Sequence, residues 1–123
     1  MQNEKAKIKQ EFKKRLYDFT LTLIGFLDKL PNDSVSRRIG DQLLRSGTSI
    51  IANYIERQAA SSKKGFTNYF NISLKSANES KLWLTLLRDS KRAKAADVSW
   101  FLSELDEIAN IFGSSILTLK VRR

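Results

Sequence analysis

Most of the charged side chains that could bind a ligand or react are cationic, because the sequence has 22 Lys and Arg but only 13 Asp and Glu. The chain has neither histidine nor cysteine, so it lacks the usual general base, thiolate nucleophile and zinc ligands. Its serines also lack a Gly-x-Ser-x-Gly elbow and an adjacent base. We therefore expect a protein that is not an enzyme and that uses no cofactor.

Glu56 and Glu79 are the carboxylates that we consider as candidate metal ligands. Di-metal sites in helical bundles use Glu-x-x-His pairs, which a chain without histidine cannot form. These carboxylates could instead accept hydrogen bonds near Asn53 and Ser76 and fix the register of two helices. The sequence predicts a structural polar core of Asn53, Glu56, Ser76 and Glu79, and no metal site.

The basic residues favour a polyanionic partner. The formal charge is +9, and residues 61–94 alone hold eight Lys and Arg against two acidic residues. Nucleic acid fits this excess better than a membrane does, because no basic segment combines its charge with a strongly exposed apolar face. A solvated surface that only maintains solubility is the alternative. The predicted nucleic-acid-binding residues are Lys9, Lys13, Lys14, Arg15, Lys63, Lys64, Arg88, Lys91, Arg92, Lys120, Arg122 and Arg123.

The two tryptophans, Trp83 and Trp100, could stack on unpaired bases. Tryptophans at helical spacing more often pack into a core or a subunit interface, and we favour that role here. The N-terminal residues 1–15 are charged and contain no apolar signal region, so we expect a cytoplasmic protein.

Four helices must position these residues. Apolar side chains recur at steps of three and four in four stretches, which predicts helices over about residues 5–30, 35–60, 62–93 and 97–121. Pro31 ends the first helix, while residues 32–34, Ser61 or Ser62, and Asp97 offer caps for the others. The fold class is all-α: an up-down-up-down antiparallel four-helix bundle in one domain, residues 1–123. A three-helix alternative would have to fuse the second and third helices.

Small residues interrupt the apolar stripes of the second and third helices. Ser46 and Gly47 lie in the second helix, and Ser73, Ala77 and Ser80 lie in the third. Small side chains allow two helix backbones to approach closely. The pattern predicts a close crossing of these two helices.

Three motifs carry a resemblance to a known family. Residues 47–56 (GTSIIANYIE), 62–66 (SKKGF) and 72–79 (ISLKSANE) resemble the 23S rRNA intervening sequence protein family, whose pattern runs S-I-x-x-N-I-A-E-G, S-K-K-E-F and S-x-x-E. The resemblance implies a four-helix bundle that assembles as a homopentameric barrel. The family includes the accessory variability determinant (Avd) proteins of diversity-generating retroelements, which look like basic pentamers that bind nucleic acid and partner a reverse transcriptase.

The resemblance has departures and leaves two interpretations. Tyr54, Ile55 and Arg57 replace an isoleucine, a small residue and a glycine of the pattern, and Gly65 replaces its glutamate. The leading interpretation is an Avd-like accessory protein that binds itself, RNA or DNA, and a reverse transcriptase, with no membrane role. The alternative is a protein–protein scaffold, or an orphan bundle encoded within a ribosomal RNA gene, with no direct nucleic-acid role.

Overall fold

The computed structural model describes the backbone of residues 2–121; the side chains of Gln2, Lys63 and residues 117–121 lie outside the described part. Its elements are α1 (Gln2–Asp28), α2 (Ser34–Ala59), α3 (Lys63–Asp89) and α4 (Ala95–Val121). Residues 2–121 contain no strand. The predicted all-α four-helix bundle is confirmed.

Neighbouring helices run antiparallel around the bundle. Along α1 and α2, Leu30 lies against Gly40 while Phe12 contacts Tyr54, so one helix ascends as the other descends. The ring contact between Phe12 and Phe112 places α4 on the other side of α1. Helix α3 closes the bundle by packing against both α2 and α4.

Helices α2 and α3 begin at side-chain caps. The Asp33 carboxylate accepts hydrogen bonds from the Ser36 backbone nitrogen at 2.9 Å and from the Ser36 hydroxyl at 2.7 Å. The backbone hydrogen bond, followed by the hydroxyl, holds the pKa of Asp33 below its ordinary value. Ser62 caps α3 by accepting from the Gly65 nitrogen at 3.1 Å. These caps satisfy amide groups that the first turn of a helix leaves free.

Helix α3 ends at Asp89, four residues before the predicted end. Lys91 has a φ of 60°, which is left-handed, and the Arg92 nitrogen donates to the Leu87 carbonyl at 2.8 Å. The Lys91 nitrogen donates to the Arg88 carbonyl at 3.0 Å, which completes a Schellman motif. The left-handed position of a Schellman motif is usually a glycine. Because a lysine occupies it here, the sequence did not indicate that the helix ends there.

Helix α4 begins at Ala95, two residues before the predicted cap. The Val98 nitrogen already donates to the Lys94 carbonyl at 3.1 Å, so Asp97 lies in the first turn and is not the N-cap residue. A carboxylate there still stabilises the helix, because it faces the positive end of the helix dipole.

One aromatic ring from each helix meets in the core. The Phe112 side chain is fully buried, and its centroid lies 5.5 Å from that of Phe12, 6.3 Å from Tyr54 and 5.6 Å from Phe70. Burial raises the pKa of the Tyr54 hydroxyl. We call Phe12, Tyr54, Phe70 and Phe112 the ring cluster.

Serine side chains join α2 to α3. The hydroxyls of Ser46 and Ser80 lie 2.8 Å apart, and Ser76 donates to the Ser49 hydroxyl at 2.8 Å. Ser73 donates to a backbone carbonyl of α2 at 3.1 Å. The backbones of these two helices adjoin more extensively than those of any other helix pair in residues 2–121. The predicted close crossing is confirmed.

Gly47 serves a different crossing from the one predicted. A Cβ atom on Gly47 would lie 2.2 Å from Cδ2 of Leu23, a buried side chain of α1. The residue therefore faces α1, whereas its neighbour Ser46 faces α3. One turn of α2 thus supplies small residues to two neighbouring helices.

The predicted polar core is corrected at its two glutamates. Asn53 donates to the backbone and hydroxyl oxygens of Ser49, both at 2.9 Å, and Ser76 joins the same group. Glu56 and Glu79 are exposed, because each lies two residues beyond a buried position and so about 200° around its helix. Glu79 instead accepts a hydrogen bond from the indole of Trp83 at 3.2 Å.

Within residues 2–121, none of the helices combines the length and the apolarity that crossing a bilayer requires.

Candidate nucleic-acid interface

Most of the predicted cations whose side chains the structure describes lie at one of two opposite ends of the bundle. We call residues 2–13, 57–66 and 112–121 the lysine end, and residues 25–40 and 85–101 the cleft end. Lys9, Lys13 and Lys64 belong to the first, while Lys91 and Arg92 belong to the second. Helices of this length span about 39 Å, so one compact site cannot include both groups.

The lysine end presents unpaired ammonium groups. Lys9 and Lys13 lie one turn apart on α1, and Lys64 lies in the first turn of α3, where no acidic residue stands. All three are exposed, and among the described residues none has an ion-pair partner. Four other predicted binding residues have side chains outside the described part of the chain: Lys63, Lys120, Arg122 and Arg123. These exposed, unpaired ammonium groups leave the lysine end available to an anionic partner.

Arg15 forms ion pairs within the bundle, so its predicted role in the nucleic-acid interface is wrong. Its Nε and Nη2 atoms each donate to Glu104 at 2.8 Å, and Nη2 also donates to Glu107. This contact joins α1 to α4. The hydrogen bonds from Arg15 lower the pKa of Glu104, and those to Glu104 raise the pKa of Arg15.

Lys14 keeps an exposed charge that is shared with its own helix. Its Nζ atom lies 2.9 Å from the Asp18 carboxylate, one turn further along α1. Both side chains are more than half exposed, and such surface pairs contribute little stability. Lys14 can therefore exchange this partner for a phosphate.

A cleft of about 990 Å³ opens at the cleft end, between the C-terminal turns of α1, the α3–α4 connection and the first turns of α4. Arg88 pairs with Asp89 at 2.9 Å, and Arg92 lies 3.6 Å from the Asp33 carboxylate. The cationic residues that line the cleft are Lys29, Arg88, Lys91, Arg92 and Lys94. Of these, Lys29, Lys91 and Lys94 have no ion-pair partner within the described part of the chain.

Aromatic rings line the same cleft. Trp100 remains 48% exposed, although its ring packs edge-on against Phe101 with centroids 5.0 Å apart and lies nearly parallel to Phe19 at 6.5 Å. Trp83 is partly buried and packs against the core. The sequence predicts packing for both tryptophans and no site role for Lys29 or Trp100. Lys29 lies two residues before Pro31, and nothing in the local sequence marks it as a site residue.

The family model for 23S rRNA-intervening sequence proteins matches residues 9–114. This chain belongs to that family. A crystal structure at 1.70 Å resolution, of a protein of unknown function from the S23 ribosomal protein family of Bacteroides thetaiotaomicron, superposes with a TM-score of 0.79. The two sequences are 33% identical over 85% of this chain and 96% of the other. No curated protein matches the chain.

Two departures from the motif of the 23S rRNA-intervening sequence family have structural consequences at the lysine end. The Arg57 guanidinium stacks over the rings of Phe66 and Phe70, at 5.1 and 4.8 Å from their centroids. Gly65 uses its backbone nitrogen to bond Ser62 but has no carboxylate with which to complete a capping box. Both changes leave the start of α3 more positive than the family pattern would.

No three acidic side chains of the described residues converge into a metal-binding group. Phosphate binding through ammonium groups, supplemented by ring stacking at Trp100, is the chemistry to which this arrangement of side chains is suited.

Proposed function

We propose that this member of the 23S rRNA-intervening sequence family is a non-catalytic, cytoplasmic accessory protein that binds nucleic acid through the lysine end. The observation that carries the proposal is the set of exposed, unpaired lysines at 9, 13 and 64. Each ammonium group that meets a phosphate releases a condensed counterion, and this release provides affinity without reading sequence.

Self-association would multiply this charge. Tyr17, Leu21 and Ile24 form an exposed apolar stripe on α1, so the expectation that no basic segment carries an exposed apolar face is wrong for this helix. Leu82 and Leu86 form another stripe on α3. Exposed apolar patches of this kind mark protein interfaces. We propose a homo-oligomer, a pentamer if it follows the family resemblance, in which symmetry repeats the lysine end.

The finer part of the proposal is an Avd-like partnership with a reverse transcriptase and its template RNA. Its support is the resemblance of residues 47–79 to the family motifs, together with the basic charge. Co-purification of the chain with a reverse transcriptase encoded beside it would support this part. A gene position within a ribosomal RNA operon, without a neighbouring reverse transcriptase, would contradict it.

Nucleic-acid binding is tested by fluorescence anisotropy with labelled single-stranded RNA and duplex DNA. We expect log affinity to fall linearly with log salt, because counterion release drives binding. The triple variant Lys9→Glu, Lys13→Glu, Lys64→Glu should bind much more weakly, with the slope reduced by about 0.7 to 0.9 for each phosphate that the variant no longer neutralises. The matched control, Arg38→Glu, Arg45→Glu, Lys75→Glu, changes the same charge outside the lysine end.

Two outcomes would contradict the proposal. Equal losses of affinity in the two triple variants would mean that only net charge matters and that the lysine end is not the site. No binding at low salt, combined with a stable oligomer by light scattering, would favour the scaffold alternative, for which the apolar stripes on α1 and α3 are the specific support.

A further inference from the structure

We propose that the cleft at the cleft end binds a nucleoside phosphate whose base is unpaired, with the base against Trp100 and the phosphate between Lys29, Lys91 and Lys94. The ligand has two possible sources, a free nucleotide or an unpaired nucleotide of a bound strand. The second source rests on the proposed function, whereas the first does not.

The cleft has a suitable size and shape. Its volume of about 990 Å³ lies at the upper end of the range for small-molecule sites, so it leaves room for a nucleotide and solvent. Its walls come from α1, the α3–α4 connection and α4, and these elements are fixed by the core contact between Phe26 and Phe101, with centroids 5.1 Å apart. The cleft is therefore held by the fold itself.

The Trp100 ring is a prepared stacking surface. Phe101 lies at 86° to it and Phe19 at 17°, so the indole is held by two core rings while about half of its surface stays open to solvent. Every base has a π-face, so stacking on such a ring tolerates any sequence, but it requires a base that is not in a duplex stack. This requirement defines the ligand as unpaired.

The proposed phosphate-binding part of the cleft contains cationic side chains that have no ion-pair partner. Arg88 donates a hydrogen bond to Asp89 and Arg92 lies in a 3.6 Å ion pair with Asp33, whereas the ammonium groups of Lys29, Lys91 and Lys94 have no ion-pair partner in the described part of the chain. Asp97 is the one acidic residue among the described residues that line the cleft. A phosphate would therefore meet a net positive lining.

The backbone at Lys91 provides an independent observation. Its φ of 60° lies in the left-handed region, which glycine adopts readily and a lysine does not. The Schellman end of α3 needs this conformation but does not need a side chain there. A lysine at such a position, on the rim of a cationic cleft, points to a use for its ammonium group.

The test uses Trp100 as a fluorescent reporter. Because the chain has two tryptophans, Trp83→Phe leaves Trp100 as the single one. This variant is titrated with adenosine monophosphate, adenosine, inorganic phosphate, a 5′-phosphorylated single-stranded oligonucleotide and its blunt duplex. We expect quenching by the nucleotide or the single strand, about tenfold weaker binding of adenosine, and neither quenching nor competition by inorganic phosphate at the same concentration.

Lys91→Gly separates binding from folding. It should weaken nucleotide binding about fivefold to tenfold while leaving the melting temperature unchanged or higher, because glycine suits the left-handed position. Lys75→Gly is the control, since that lysine is exposed on α3 away from the cleft, and it should leave the quenching unchanged. Trp100→Phe in the natural background should abolish the ligand-dependent signal and confirms its origin if the Trp83 variant folds poorly.

Each result decides the proposal. Quenching by the mononucleotide supports a free ligand, and quenching by the single strand alone supports an unpaired nucleotide of a bound strand. Absence of quenching by both overturns the proposal, as does competition by inorganic phosphate at equal concentration, which would mean a simple anion site, or equal quenching by the duplex. The lysine-end triple variant keeps the two proposals separate: it should lose polyanion affinity and retain mononucleotide quenching.

Discussion

Helices α2 and α3 meet through serine hydroxyls, whereas α1 and α4 meet through aromatic rings and through Arg15 held by two glutamates. Backbones approach closely in the first pair and remain further apart in the second. Close approach removes space for large side chains and requires each buried hydroxyl to find a partner. Wider spacing admits rings that bury much more apolar area. The same bundle thus combines one interface fixed by shape with one fixed by buried area.

The largest expected effect comes from the ring cluster. Phe112→Ala removes a fully buried ring that touches a ring on each of the other three helices. We expect a loss of about 3–5 kcal/mol in the free energy of unfolding, because transfer and cavity terms add. Urea denaturation followed by circular dichroism measures it. A loss as small as that of a surface substitution would mean that buried ring area does not stabilise the ring cluster.

The close crossing should fail by overpacking. Ser80→Val adds volume where the Ser46 hydroxyl lies 2.8 Å away, so the helices must separate or a side chain must leave its rotamer. We expect a loss of about 1–3 kcal/mol by the same urea measurement.

Ser80→Ala is the matched control for the crossing, since it removes the hydroxyl without adding volume. Ser46 retains a backbone acceptor at Leu43, 3.3 Å away, so we expect a loss of only about 1 kcal/mol. If the alanine variant were destabilised as much as the valine variant, the hydrogen bond and not the small volume would be the determinant.

The smallest expected loss of stability comes from the ion pairs of Arg15 on α1 with Glu104 and Glu107 on α4. The pKa of Glu104 is lowered in the folded chain, chiefly by the hydrogen bonds from Arg15. The ionised carboxylate therefore stabilises the fold above its unfolded pKa of about 4.3, and this contribution is lost as pH falls through the lower folded value. Glu104→Gln should cost about 0.5–1 kcal/mol at neutral pH, and less at acid pH.

Thermal unfolding from pH 7 to pH 3 checks this sign. The difference in melting temperature between the natural chain and Glu104→Gln should shrink as pH falls below about 4. Glu107→Gln should give a smaller difference, because that side chain is 62% exposed whereas Glu104 is 18% exposed. A difference independent of pH would show that Glu104 acts through packing alone.

The helices and the serine crossing could be predicted because both follow from residues repeated at steps of three and four along the sequence. Most of the residues that escaped prediction depend on contacts distant in sequence. Arg15 resembles Lys14 until α4 brings Glu104 beside it, 89 positions away. The end of α3 escaped because its left-handed residue is a lysine and not a glycine. The cleft escaped because Lys29 and Trp100 line one cleft only when the chain has folded.

The ring cluster has a consequence for synthesis of the chain. Its members stand at positions 12, 54, 70 and 112, so they span nearly the whole length. A nascent chain therefore cannot close this part of its interior until α4 has left the ribosome. A fragment truncated before α4 leaves three rings exposed to solvent and open to aggregation.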